Sequence, residues 1–294
     1  PLNMGVDFKG GRSYVVTFSQ PVVATELKVQ LSNSFENAGT EVKNYGSNSS
    51  VKVTTSYLID EDSEEADEKV RQTLISALQT ITGKQYTDQD AQLDDSRFII
   101  SSSSKVGATV ADDIKDSAWE ASLFSLIGIF IYILIRFRKW QYSAGAIIAT
   151  LHDTLFVFAA FSIAGFLGMS YEVDQVFVAA ILTIIGYSIN DTVIIFDRIR
   201  EYIGFGATHD LRKIFNDAIN DTLGRTIITA GTTLLVVIVL LIFGGQVLSG
   251  FAFALLVGVS VGTYSSVFIA APIVLDLDKK GQEKEAKKAV AATA

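Results

Sequence analysis

The stretch GYSINDTVIIFDRIRE, residues 186–201, closes a long apolar run with a cluster of charges and sets one acid, Asp191, inside the run itself. Residues 173–196 are apolar for almost their whole length, which is the length and composition of a membrane-crossing helix. Asp197, Arg198, Arg200 and Glu201 mark where that helix meets water, and Asp191 lies about one and a half turns inside the boundary. Insertion scales put a charged Asp near a helix centre at a cost of about 2.5 to 3.5 kcal/mol, and such residues face a bundle interior or a water-filled cavity. The side chain is too short to reach the headgroups as Lys or Arg does. Tyr187, Asn190 and Ile194 share its face at helical spacing and make a partly polar stripe.

Four more windows of the same kind, 119–135, 144–166, 226–243 and 249–275, predict five membrane helices within residues 117–277. The loop RFRKWQY holds three Lys or Arg, residues 197–225 hold five, and the tail from Asp278 holds five lysines, whereas LGMSYE and GGQVL hold none. This alternation predicts that the basic loops and the 278–294 tail are cytoplasmic, with residues 1–116 on the far side of the membrane. Trp119 and Tyr171 on the outer side and Trp140 and Tyr142 on the inner suit interfacial aromatic belts. Exporting an acidic domain of this size needs a preceding segment, so a transmembrane helix or a signal peptide is expected ahead of Pro1, making six helices expected in the intact unit. Between the third and fourth windows, Leu211, Ile214, Phe215, Ala218, Ile219 and Leu223 predict an amphipathic helix near 208–223, lying on the membrane surface or against the bundle.

The first 116 residues carry 18 Asp or Glu against 11 Lys or Arg, most of the chain's net charge of −8. That balance argues against nucleic acid as a partner. No cysteine is present, so thiolate catalysis and Cys-based metal sites are excluded, and His152 and His209 stand apart rather than forming a zinc site. No metal, cofactor or enzymatic role is indicated. Within this region RSYVVTF reads as a strand, Pro21 as the start of a helix running to about Phe35, and TEVKNYG with SSVKVTTSYLI as a hairpin. SEEADEKVRQTLISALQTI has acids in its first turn and Val70, Leu74, Ile75, Leu78 and Ile81 on one face, so it reads as an amphipathic helix. RFIISSSSKVG supplies a final strand. The order β-α-β-β-α-β is that of a ferredoxin-like sandwich. GVDFKGG, residues 5–11, pairs a strand-like core with glycines and reads as a turn that permits close backbone approach.

Other polar residues in the apolar windows admit two readings. Arg225, at the start of the fourth window, is either a topology anchor or an electrostatic partner for Asp191 on a neighbouring helix. His152 and Asp153 are adjacent and so point about 100° apart, leaving one of them at most to face the cavity of Asp191. They serve either interhelical hydrogen bonding or a proton path. Gly258 and Gly262, four apart, predict close helix packing, and Gly231 with Thr232 and Thr233 similar packing on the preceding helix.

On GVDFKGG, LHDTL, GYSINDTVIIFDRIRE, LGRTIITAGTTLL and GFAFALLVGVSVGTYSSVFIAAP, the chain resembles the SecF family, separate or fused to SecD, of the bacterial Sec export machinery. The resemblance implies one half of a unit related to the RND transporters, with SecD as the other half. It implies use of the proton gradient to promote export and release of polypeptides, in cooperation with SecYEG, YajC and YidC. The intramembrane acid of the family falls on Asp191 and its arginine on Arg225, with Asn190, His152 and Asp153 as weaker positions for the proton path. Two alternatives remain, an RND-type exporter of small molecules and a passive scaffold of the translocon.

Overall fold

The computed structural model describes residues 2–89, 93–169, 171–205 and 210–278, which fall into two compact units. The first comprises residues 1–118 with 164–175, and the second 119–163 with 176 onward.

The first unit runs α1 (Val6–Lys9), β1 (Gly11–Phe18), α2 (Ala24–Ser34), β2 (Thr40–Tyr45), β3 (Ser47–Thr55), α3 (Glu64–Thr82), β4 (Gln85–Tyr86) and β5 (Arg97–Val106). Its sheet has the order β2-β3-β1-β5-β4, with β1 antiparallel to both β3 and β5, β2 antiparallel to β3, and β4 parallel to β5. Apart from the two-residue β4, this is the expected ferredoxin-like arrangement. α3 begins where the Ser63 hydroxyl accepts the Ala66 amide at 3.2 Å and Glu64, Glu65 and Asp67 meet the positive helix end. It stops at Gly83, whose φ of 69° is left-handed and whose N–H returns to the Gln79 carbonyl. Its buried face, Val70, Leu74, Ile75 and Leu78, packs with Val16, Phe18, Leu31, Phe35, Val51, Val53 and Phe98.

Two local expectations are corrected. α2 starts at Ala24 and not at Pro21, because the Val22 N–H is donated to the Asn48 carbonyl at 2.9 Å and holds that segment against β3. The VDFK core is one helical turn and not a strand, closed by the Gly10 N–H on the Val6 carbonyl at 2.7 Å. The close approach predicted for this motif is present at Gly11, where φ is 116° and a Cβ would stand 2.5 Å from the Thr55 carbonyl oxygen. Residues 171–175 also belong to this unit. The Val173 amide and carbonyl bond the Asn3 carbonyl and Gly5 amide at 2.7 and 2.9 Å, Lys52 pairs with Glu172 at 2.6 Å, and Asp7 accepts the Gln175 amide at 2.9 Å.

α4 (Ala108–Phe137) starts in the first unit and runs into the second, which adds α5 (Trp140–Phe166), α6 (Gln175–Phe205), α7 (Leu211–Phe243) and α8 (Gly245–Ser265). A π-helical turn, Ser266–Ala270, follows α8, and helix continues to Asp278. Among the described residues, five helices are long and apolar enough to cross a membrane. The amphipathic stretch lies against the bundle, one of its two expected placements, and forms one helix, α7, with the fourth apolar window, running through Gly224 without a break. Ile214, Phe215 and Ala218 are buried in the core, and Leu211, Ile219 and Leu223 lie partly buried against it. Tyr142 is not in an interfacial belt. It is buried, stacked on Phe137 at 5.1 Å and edge-on to Phe196 at 5.0 Å, while Trp119 and Trp140 are exposed. His209 and the basic tail beyond Asp278 lie outside the described residues.

Candidate functional site

At the charged end of the bundle, polar side chains find one another. Arg136 pairs with Asp197 at 2.8 Å, Arg198 with Glu201 at 2.7 Å and with Asp221 at 2.6 Å, and Lys139 with Asp278 at 3.1 Å. The Tyr202 hydroxyl donates to Asp221 at 2.6 Å. These are the boundary charges that the sequence places at the helix ends.

Two turns inward the pattern changes. Asp191 is 1% exposed, and neither carboxylate oxygen has a hydrogen-bond partner among the described residues. Arg225 on α7 acts on it electrostatically but makes no ion pair within 4.0 Å and is itself exposed. Thr226, next to Arg225, is buried with an unpartnered hydroxyl. Tyr187, one turn before Asp191, also feels its charge. Asn190, which the sequence put on the polar stripe, is exposed, because a step of one residue turns it about 100° away from Asp191.

Asp153 is surrounded differently. Its Oδ2 accepts the Ser188 hydroxyl of α6 at 2.7 Å and the Ser265 hydroxyl of α8 at 2.8 Å, and its Oδ1 lies 3.2 Å from Nδ1 of His152. Asp153 is buried and His152 half-exposed, so the two do diverge around the helix. Gly258 and Gly262 let α8 lie against α6. A Cβ at 258 would stand 2.3 Å from Ile184 Cδ1 and one at 262 would stand 3.0 Å from Ser188 Cβ. Gly231 does no such work, since a Cβ there would meet nothing within 4 Å. Reading the sequence missed Ser188, Thr192, Ser265 and Ser266. Their signal was small hydroxyls in apolar helices, which many membrane helices bond back to their own preceding turn, as Thr229 does to the Arg225 carbonyl at 2.9 Å. Among the described residues no group of three or more His, Asp or Glu could hold a metal ion.

The comparisons with known proteins agree with one another. Residues 85–280 match the family described as protein export membrane protein SecD/SecF, C-terminal, and residues 1–22 match the SecD/SecF GG motif. The chain belongs to the SecF family. The protein translocase subunit SecF of Rhodothermus marinus is 41% identical over 280 residues, 94% of this chain and 83% of that protein. SecF of Thermodesulfovibrio yellowstonii is 39% identical, with 94% and 84% covered. The crystal structure of SecDF, a translocon-associated membrane protein from Thermus thermophilus, superposes with a TM-score of 0.74 at 29% identity. The match covers 94% of this chain but only 34% of that one, so the chain spans about a third of a fused SecDF.

Proposed function

We propose that this chain is a proton-driven subunit of the Sec export machinery, working with a SecD half and the SecYEG channel, and with YajC and YidC, to draw and release polypeptides on the periplasmic side. Relatives named as protein translocase subunits support the transport of polypeptide. The alternation of basic and uncharged loops supports placing the α+β unit outside and the C-terminus in the cytoplasm. The proton role rests on one observation, the buried carboxylate of Asp191, which has no hydrogen-bond partner among the described residues and lies within the electrostatic reach of Arg225.

Asp191 alternates between a protonated state and an ionised state drawn toward Arg225, and the two states favour different helix packings. A proton moving down 100 mV supplies about 2.3 kcal/mol, and each pH unit about 1.4 kcal/mol more. The shift in conformation is bounded by the difference in proton affinity between the two packings. Asp191→Asn tests the reading in vesicles that hold the chain, its SecD half and the channel. Proton conduction and the proton-motive-force dependence of export both fall to background. Wild-type levels of both would leave the chain a passive scaffold.

A further inference from the structure

We propose that Asp153 is a positioning residue, the shared acceptor that holds α5, α6 and α8 in the register that sets Asp191, and not a carrier of the transported proton. The proposal rests on the proton role of Asp191 given above.

Three observations carry it. First, one oxygen of a side chain on α5 takes hydroxyl protons from two other helices, Ser188 of α6 and Ser265 of α8, at 2.7 and 2.8 Å, in a site that is 1% exposed. Its other oxygen faces His152 at 3.2 Å, so both are occupied, whereas both oxygens of Asp191 are bare. Second, the contact repeats on the far side of Asp191. Ser188 precedes Asp191 by three residues and Thr192 follows it directly, and the Thr192 and Ser266 hydroxyls meet at 2.8 Å. The Ser266 hydroxyl also reaches the Ser188 carbonyl at 3.3 Å, so α6 is tied to the α8 segment both before and after Asp191. Third, the backbone of that segment is shaped for the contact. A Cβ at Gly262 would stand 3.0 Å from Ser188 Cβ and 3.5 Å from Asp153 Oδ2. The π-helical turn begins at Ser266, directly after Ser265, and a π turn re-aims the side chains at its start, here so that of two consecutive serines Ser265 meets Asp153 of α5 and Ser266 meets Thr192 and Ser188 of α6. Among the described residues, the one titratable group in contact with Asp153 is His152, on its own helix. The contacts from α6 and α8 are Ser188, Ser265 and Gly262.

A fixed acceptor and a proton carrier respond oppositely to an amide. In Asp153→Asn the amide oxygen still receives both hydroxyls and the amide NH2 can donate to His152, so the clasp survives without a titrating group. The test compares Asp153→Asn, Asp153→Leu and the double variant Ser188→Ala with Ser265→Ala, in vesicles holding the full chain, its SecD half and the channel, with proton uptake read against pH. Asp153→Asn reduces uptake by no more than about threefold with its pH midpoint in place, while the Leu and double-serine variants lose about tenfold and move the midpoint by about one unit. Uptake abolished in Asp153→Asn, as in Asp191→Asn, would make Asp153 a carrier and overturn the proposal. So would Leu and double-serine variants that fold and keep the wild-type midpoint, since a merely packing role leaves it unmoved. Should Asp191→Asn itself leave uptake intact, the proton reading fails, and the clasp is judged by spin-label distances between α6 and α8. Those lengthen in Asp153→Leu and not in Asp153→Asn, and unchanged distances in both overturn it.

Discussion

Arg12 in the α+β unit, 2% exposed, and Asp191 in the bundle, 1% exposed, are both buried charges. Arg12 has every donor answered. Its Nε and Nη2 reach Asp67 at 2.7 and 2.6 Å, and its guanidinium also donates to the carbonyls of Tyr57, Leu58 and Glu61 at 3.2, 2.9 and 2.9 Å. Asp191 has no such set. A buried charge costs free energy unless it is paired and hydrogen-bonded. The fold meets that cost at Arg12, where the charge ties the 57–61 loop to β1, and leaves it standing at Asp191, and the proposed proton role turns on that unmet requirement.

The largest effects test this contrast directly. Arg12→Leu leaves three carbonyls without their donor and Asp67 with Lys105 alone, and lowers the stability of the α+β unit by about 3 to 5 kcal/mol, read from hydrogen exchange at β1 amides in the full chain. Asp191→Asn does the reverse. It removes a charge with no partner and raises the melting stability of the bundle by up to about 3 kcal/mol while proton uptake is lost. If Asp191→Asn instead destabilised the bundle, the carboxylate would have a partner in the working protein and the contrast would break.

Next in size are the helix-contact glycines. Gly258→Ala drives a methyl into Ile184 and costs about 1 to 3 kcal/mol of bundle stability, with recovery when Ile184 is also cut to Ala. Gly262→Ala costs less, because its nearest neighbour stands at 3.0 Å rather than 2.3 Å. Gly231→Ala, in open space, changes the sign and gains about 0.5 to 1 kcal/mol from the better helix former. Thermal unfolding in detergent ranks the three.

How much of this was legible follows from the range of each interaction. The five long helices and the β-α-β-β-α-β order were readable because each rests on a local pattern, an apolar run or an alternation, that tertiary packing reinforces. Asp191 was readable because an acid within such a run is costly wherever the neighbours lie. Its relation to Arg225 was not, since spacing along two helices leaves their relative rotation open. Gly258 and Gly231 look alike in sequence, and only the neighbouring helix distinguishes them. Ser265 and Ser266 were silent because a serine in an apolar helix has its own preceding carbonyl as a default partner, and only the tertiary structure brings Asp153 of α5 to the first and Thr192 of α6 to the second.

A smaller effect tests whether Arg12 works through Asp67. Burial works against the charged form of Asp67, but hydrogen bonds from Lys105 and Arg12 outweigh it and hold the carboxyl below the usual aspartate range. A depressed folded-state pKa contributes stability that is fully present above the unfolded value, about 3.9, and is lost as pH falls through the folded value. Acid unfolding of the α+β unit therefore carries a component below about pH 4 that Asp67→Asn removes. Solvent access to Asp67 keeps that component smaller than the loss of Arg12.

The least effect is expected at the ion pair of Lys52 with Glu172, whose side chains are 20% and 17% exposed. The pair joins β3 to the 171–175 segment, which the backbone already secures through Val173 with Asn3 and Gly5. With those bonds intact, Lys52→Ala or Glu172→Ala costs about 1 kcal/mol or less. The pair differs from Arg12 in having one partner instead of four and room for water to replace it. Exchanging the two charges, Lys52→Glu with Glu172→Lys, restores the loss, because a single contact at 2.6 Å carries no polarity that the surroundings enforce. Arg12 and Asp67 exchanged in the same way stay unfolded, since the carbonyls of residues 57, 58 and 61 accept from a guanidinium and repel a carboxylate. Recovery of both exchanges would mean that the carbonyl cage around Arg12 contributes little, and that the two units differ only in how deeply they bury their charges.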